Sequence, residues 1–525
     1  MSRAGVPLPE AQMKVAGFRQ SLLALLGVAL GLMLSGLDQT IIGNVLPSIV
    51  ADLGGFSLYA WIATGYLLAS VICIPIFGRL GDYFGRKYFV FAAVLIFSLS
   101  SLLCAFAPSM AWLLAARILQ GIGGGILIGT AFACVPELFP ETERRLRWQM
   151  LLSMLFSAVN AIGPTLGGWL TQSYGWRSVF YLNLPLGALA LYFIWRHLPY
   201  FPPHPSAAKR RIDWLGALLI ALSLGGLQLF VQLLSRGGVV MLAASCAIIA
   251  VLAFVALCWW ERRCADPLLP SELFQDKSMR SLFLLSVLAG AIMFVLLFYL
   301  PLLFQGAYGL SPKQAGLLIT PLALCITLGA IVNGRIITRV GNPNRVPLLG
   351  FVVLMISCAC LAAIGRSASF STLLCLSFGA GTGLGFILMN LTLFTQCLAD
   401  RQHLGIATAL LQSLRLVGGM LGTALAGSLV MALYHLGVSA AFARSGAADL
   451  LAPFADPRIL LNSQAQVEQI KRLSAAGHDG VLLMTQVRDA LGQAIDVGLL
   501  LAAVLALIAV VCMARIPRVS LHPKA

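Results

Sequence analysis

Gly78-Arg79-Leu80-Gly81-Asp82-Tyr83-Phe84-Gly85-Arg86-Lys87 and Gly334-Arg335-Ile336-Ile337-Thr338-Arg339-Val340-Gly341 share one pattern, G-R-[LI]-x-x-x-x-G. Each follows a long apolar run, and each closes the second run of a set of six. The match is short, but its equivalent position in both halves indicates two six-helix bundles related by duplication. Repeats of this kind place a binding site near mid-membrane, where the halves meet.

Working outward from these loops, uninterrupted apolar runs near 20 residues give fourteen candidate transmembrane helices. Six come first, at about 20–46, 57–78, 88–107, 111–136, 149–172 and 178–196. Two follow the Pro-rich link 197–212, at about 213–234 and 239–260. After a charged link at 261–280 come about 281–304, 313–334, 346–365, 370–396, 404–433 and 493–514. The first run is too long for a signal-peptide core and lacks a small-residue cleavage site, so it counts as a helix. The expected architecture is an all-α polytopic membrane protein with 14 transmembrane helices. Its parts are a cytoplasmic N-terminus (1–19), an N-terminal six-helix bundle (20–196), links with two inserted helices (197–280), a C-terminal six-helix bundle (281–514) with an outer loop at 433–492, and a cytoplasmic C-terminus (515–525).

Composition agrees. The 525 residues are 59% apolar and 10% charged, with a mean hydropathy of +0.92, against roughly 25% charge in an average soluble domain. A soluble fold of this length needs a polar skin that 19 acids and 35 bases cannot supply. A cytosolic enzyme, a secreted domain and a disordered chain are excluded; the lipid bilayer is the first partner.

The net charge of +16 follows topology. With the N-terminus inside, 24 Lys and Arg fall on inner segments and nine on outer ones, five of these in the long loop 433–492. Long loops weigh little in the positive-inside rule, so both termini are expected in the cytoplasm of a plasma (inner) membrane protein. The bases form no stripe, so no nucleic-acid partner is implied. Trp61, Trp112, Trp169 and Trp176 mark outer ends, and Trp148, Trp195, Trp214, Trp259 and Trp260 inner ends, as an aromatic belt requires. The 12 cysteines include no CxxC pair and none lies in 433–492, which supports neither a disulfide framework nor a metal site.

By this count three charged residues are stranded inside spans: Asp38, Arg117 and Arg415. Asp38 lies about 8 residues, roughly 12 Å, from the outer end of the first run. Burial in lipid favours the neutral form of a carboxylic acid, which brings proton exchange within reach of neutral pH. A purely structural acid, capping a helix break or permanently paired, is the alternative. Arg117 lies about 7 residues inside the outer end of the fourth run, so its depth matches. It is expected near Asp38, directly or through Gln120 or water, and a static ion pair is the bland reading. Arg415, with Gln412 one turn before it, either meets an anionic or carbonyl-bearing cargo or bonds backbone carbonyls beside Gly418, Gly419 and Gly422. Asn44, Tyr66, Gln305 and Asn390 complete a set of candidate cavity-lining polar groups, although single polar residues in a bundle commonly serve as interhelical bonds.

Gly163-Pro164-x-x-Gly167-Gly168 removes an amide donor and leaves flat faces one turn apart, which permits a kink and a close helix approach. In the 78–87 loop Asp82 is suited to cap a helix of the other bundle, near Arg401–Leu404, and so to latch an outward-open state. A loop that only sets topology explains Arg86 and Lys87 equally well, but not Asp82, Gly78 or Gly85. Within 433–492, stretches 438–453 and 464–475 read as short amphipathic helices. That segment is too small for an independent core; it is expected to be a lid at the outer mouth or a docking site for an envelope adaptor.

These residues resemble a known family. Gly78-x-Leu80-x-Asp82-x-x-Gly85-Arg86-Lys87 is similar to the signature loop of the major facilitator superfamily. Leu37-Asp38-Gln39-Thr40-Ile41 with Asn44 and Leu46-Pro47 is similar to the first-helix motif of its fourteen-helix drug:proton antiporter branch. Arg117-x-x-Gln120-Gly121-x-Gly123, the 163–168 motif and Trp176-Arg177-Ser178-Val179-Phe180-x-x-Asn183-x-Pro185-x-Gly187 match further motifs of that branch. The resemblance implies alternating access, a role for Arg117 in proton transfer, export through the 163–168 motif, and a hairpin before the last helix.

The expected function is a proton-coupled exporter of lipophilic small molecules, driven by the proton gradient without a cofactor. With one buried acid, monocations, zwitterions and neutral amphiphiles suit it better than dications. A dedicated exporter of one endogenous metabolite, siderophore or lipid shares every motif. An intramembrane enzyme is disfavoured because HExxH and GxSxG are absent, and a channel because no ring of selectivity groups exists.

Overall fold

The computed structural model describes residues 17–139, 141–200, 213–234, 240–264, 271–337, 340–365, 369–399 and 404–519. Their regular structure is helical throughout. The first bundle holds α1 (Phe18–Leu53), α2 (Tyr59–Phe84), α3 (Arg86–Ala105), α4 (Met110–Leu138), α5 (Thr142–Tyr174) and α6 (Arg177–His197). A hairpin of α7 (Trp214–Leu234) and α8 (Val240–Glu261) follows. The second bundle holds α9 (Lys277–Leu302), α10 (Pro312–Ile336), α11 (Arg345–Ile364), α12 (Phe370–Leu398), α13 (Leu404–Arg444) and, after the short α14 (Ser463–Ala475), α15 (Gly480–Ala514). "Outer" below means the end that the Lys and Arg distribution assigns to the outside.

Among the described residues twelve helices are long and apolar enough to cross a membrane. Two further long helices, α5 and α10, pack against each other between the bundles. On α8, Met241, Val251 and Leu252 are 89%, 61% and 63% exposed, as a lipid-facing helix requires.

Lipid supplies no hydrophobic drive between helices, so close packing must hold each bundle together. In the first, α4 lays Gly125 and Gly129 on α2, where a Cβ would come 2.6 Å from Ser70 O and 2.7 Å from Ile74 O. In the second, α13 lies on α9: Ser286 Oγ donates to Leu411 O at 2.8 Å, and a Cβ on Gly422 would meet Ala291 Cα at 2.6 Å. The α7–α8 hairpin sits beside both bundles. Ser428 of α13 donates to Val231 O at 2.8 Å, and Ala217, Ile220 and Leu257 bury against Ile76 and Leu80 of α2.

Three boundaries differ from the sequence reading. The first helix continues through Pro47 to Leu53 rather than ending near 46. A proline inside a helix costs one amide bond but need not end it where neighbouring helices support the backbone. Asp38 is therefore 15 residues from the helix end, not about 8. The segment 433–492 is also not one loop, because α13 continues to Arg444 and α15 starts at Gly480. The stretch 438–453 becomes the end of α13 plus short 3-10 turns at Ala448–Leu450 and Ala452–Phe454, whereas 464–475 is α14.

What remains between α13 and α15 is a cap on the outer end. Tyr434 donates to Phe454 O at 2.8 Å, and Phe442 and Phe454 pack with ring centroids 4.8 Å apart, tying the cap to α13. Arg458 reaches the other bundle, donating from Nε to Ala51 O at 3.1 Å.

Candidate functional site

Asp38, on α1, faces α4. Arg117 Nη1 donates to Asp38 Oδ2 at 2.5 Å and to Gln120 Oε1 at 2.7 Å, while Gln120 Nε2 donates to Asp38 Oδ1 at 3.1 Å. The spacing of Arg117 and Gln120, one turn apart on α4, puts both on the face that meets α1. Asp38, Arg117 and Gln120 are 3%, 1% and 0% exposed, so bulk water reaches none of them in this conformation. Both carboxylate oxygens accept hydrogen bonds, which is the arrangement that suits a charged carboxylate.

Tyr66 belongs to this cluster and does not line a cavity. The Arg117 guanidinium stacks on its ring, 4.5 Å from the centroid, and its hydroxyl lies 3.2 Å from Ser35 Oγ. Cys104 closes the set, donating to Gln120 Oε1 at 3.6 Å.

Asn44 and Gln305 form an outer seal between the bundles. Asn44 Nδ2 donates to Pro164 O at 3.0 Å and to Pro312 O at 3.1 Å, and Gln305 Nε2 donates to Asn44 O at 2.8 Å. Gln305 sits in a π-helical turn, Leu303–Ala307, that prolongs α9. Turns of this kind redirect side chains and recur at functional places. The 163–168 motif works on two faces. Gly167 packs on Ile41 of α1, while Gly168 faces α10, where a Cβ would be 2.5 Å from Pro312 O. Thr165 and Thr320 share a hydrogen bond across the same seam, and Tyr59 donates to Phe298 O at 2.8 Å. These hydrogen bonds between the bundles lie toward the outer side and close the protein there.

Asn390 is spent within its bundle, paired with Asn333 through reciprocal amide bonds of 2.9 and 3.2 Å. Arg415 has no hydrogen bond to the carbonyls beside Gly418, Gly419 and Gly422, and Gln412 keeps a buried Oε1 without a partner. In the inner loop, Gly85 takes φ +83° between α2 and α3, a conformation a side chain would strain. Arg86 pairs with Glu137 at 2.5 Å, and Gly78 packs near Gly129 O. The proposed latch from Asp82 to the 401–404 region lies outside the described side chains.

Sequence reasoning missed Asp496 although it lies three residues inside the run read at 493–514. The residue lies midway along α15, half-buried, and its Oδ1 is buried without a partner. Counting every charge within 493–514 would have found it.

Two six-helix bundles meeting at an outer seam, with a polar cluster sealed inside one of them, define a multi-pass membrane transporter and not an enzyme. The Major Facilitator Superfamily profile matches residues 28–423, and the chain belongs to that family. It is 30% identical over 506 residues to the multidrug transporter protein MdtP of Bacillus subtilis (strain 168), covering 92% of this chain and 91% of that one. It is 31% identical over 408 residues to multidrug resistance protein 3 of the same organism, covering 77% and 78%. In fold it is similar to a bacterial homolog of the human lysosomal transporter Spinster, crystallised inward-facing and occupied: TM-score 0.66, 16% identity, 95% of this chain and 97% of that one.

Proposed function

We propose that this protein is a proton-coupled exporter of lipophilic small molecules in the plasma (inner) membrane, with both termini cytoplasmic. The observation that carries the reading is the sealed Asp38–Arg117–Gln120 cluster in a conformation closed on the outer side. The chain's similarity to a multidrug transporter and a multidrug resistance protein supports export of more than one cargo.

In this mechanism the inward-facing protein holds Asp38 charged against Arg117 and accepts cargo from the inside. Opening the seam at Asn44–Gln305 and Gly168–Pro312 turns the cavity outward, where cargo leaves and Asp38 takes up a proton. Protonation removes the charge that binds Arg117, and arginine keeps its own proton throughout. The neutral acid returns inward and releases its proton as the ion pair forms again. The cap at 445–479 acts as a lid over the outer seam, tied to α13 and resting on α1. No cofactor enters; the proton gradient drives the cycle.

The test uses acid-loaded proteoliposomes with an internal pH dye and ethidium added outside. Ethidium-dependent alkalinisation of the lumen supports the reading. Ethidium movement with no change in internal pH contradicts it.

A further inference from the structure

Arg415 lies on the face of α13 that packs on α9. Gly290 rests against its backbone, and one and two turns further on Gly419 and Gly422 press on Phe294 and Ala291. The residue is surrounded by protein atoms on a packed helix face yet keeps part of its surface accessible. Among the described residues it has no hydrogen bond, ion pair or ring contact. A bare cation at such a place is expensive, and the protein retains it.

The surrounding helices hold no counter-charge at its depth. The helices packed most extensively on α13 are α2, α7, α9, α12 and α15, and their only carboxylates are Asp82, Asp489 and Asp496. Gly498 of α15 lies beside Val430, fifteen residues along α13 from Arg415. At 1.5 Å per residue, and with Asp496 two residues further outward, this puts Asp496 roughly 25 Å away along the axis, with Asp489 further out. Gly427 lies beside Ala60 of α2, so Arg415 is level with the region of Ile72, and Asp82 is about 15 Å further inward.

Asp38 is at nearly the same depth. Gly43 lies against Leu297 and Gly290 against Arg415, so counting along α1 and α9 places the two charges within about 3 Å of one level. Asp38, however, already serves Arg117 and Gln120. The first bundle thus presents an internally neutral pair to the interface, and the second an uncompensated cation.

We propose that Arg415 binds the anionic end of an amphiphilic cargo, a carboxylate or similar monoanion, with Gln412 accepting from a hydroxyl or amide N–H on the same molecule. This rests on the export reading and deepens it: monoanions and zwitterions are cargo beside lipophilic cations, and the anionic group docks on α13. The guanidinium fork suits a carboxylate because two parallel N–H donors match its two oxygens. A resident lipid phosphate does not fit, since Arg415 lies about 16 Å from the inner start of α13, near the middle of a hydrocarbon core about 30 Å thick.

The test compares native protein, Arg415→Gln and Arg415→Lys in proteoliposomes, with 2-naphthoate as the lipophilic anion and ethidium as the lipophilic cation. Native protein is expected to move both. Arg415→Gln is expected to lower the naphthoate-to-ethidium rate ratio about tenfold or more, the size expected for losing a charged hydrogen bond, and Arg415→Lys to fall between. An unchanged ratio in Arg415→Gln overturns the assignment, as does native protein that moves ethidium but not naphthoate; the export reading survives both results. Native protein that moves neither probe defeats the export reading and the assignment with it. Should Arg415→Gln elute as aggregate on size exclusion, Arg415→Lys and Gln412→Ala decide the ratio.

Discussion

Arg117 on α4 donates to Asp38 on α1 across 2.5 Å, and the two side chains are 1% and 2% exposed. A pair this deep is a poor source of net stability, because desolvation offsets most of the attraction. Its removal one partner at a time is a different matter, since a single charge is left behind in the bundle.

Arg117→Gln is therefore expected to lower stability by about 3–5 kcal/mol, the cost typical of orphaning a buried charge. Asp38→Asn combined with Arg117→Gln is expected to recover most of that loss while restoring no transport. Thermal unfolding in detergent checks the first statement and proteoliposome assays the second. Equal stability in Arg117→Gln and the native protein contradicts the pairing.

The outer seam gives a conformational prediction. Gly168→Val places side-chain atoms where Pro312 O and Asn44 Nδ2 already lie, at 2.5 and 2.8 Å from the first added carbon. The variant is expected to favour the outward-open state. Thr165→Cys with Thr320→Cys, in a background cleared of reactive native cysteines, reports it: oxidative cross-linking is expected to be efficient alone and several-fold weaker with Gly168→Val.

The Asn333–Asn390 pair is expected to act as interhelical adhesive and not as a cargo site. Both residues are fully buried, and their amides bond in both directions. A double-mutant cycle to Ala is expected to give a coupling of about 0.6–1.7 kcal/mol, the range for polar pairs between membrane helices. Selectivity between cargos is expected to stay constant; a change in selectivity contradicts the assignment.

How much of this was legible in sequence follows from what one dimension records. A charge in an apolar run is visible at once, so Asp38, Arg117 and Arg415 could be named, and equal depths on two helices suggested that the first two meet. The duplicated G-R-[LI]-x-x-x-x-G pattern disclosed the two bundles. Contacts across the bundles left no local trace. Tyr66 has the same sequence appearance whether it lines a cavity or lies under a guanidinium, and nothing near Asn44 announces Gln305, whose aim depends on a π-helical turn. Boundaries failed where local propensity lost to packing: Pro47 suggested an end that neighbouring helices override, and polar residues near 433–444 and 480–492 hid helices that extend past the apolar core.

The central claim is that Asp38 carries the proton. The most direct measurement is cargo-driven proton release from acid-loaded proteoliposomes containing native protein or Asp38→Asn, with ethidium binding as the control for a folded cavity. The account predicts that Asp38→Asn binds ethidium while the pH gradient stays intact on its addition. Proton release by Asp38→Asn at the native rate would contradict it.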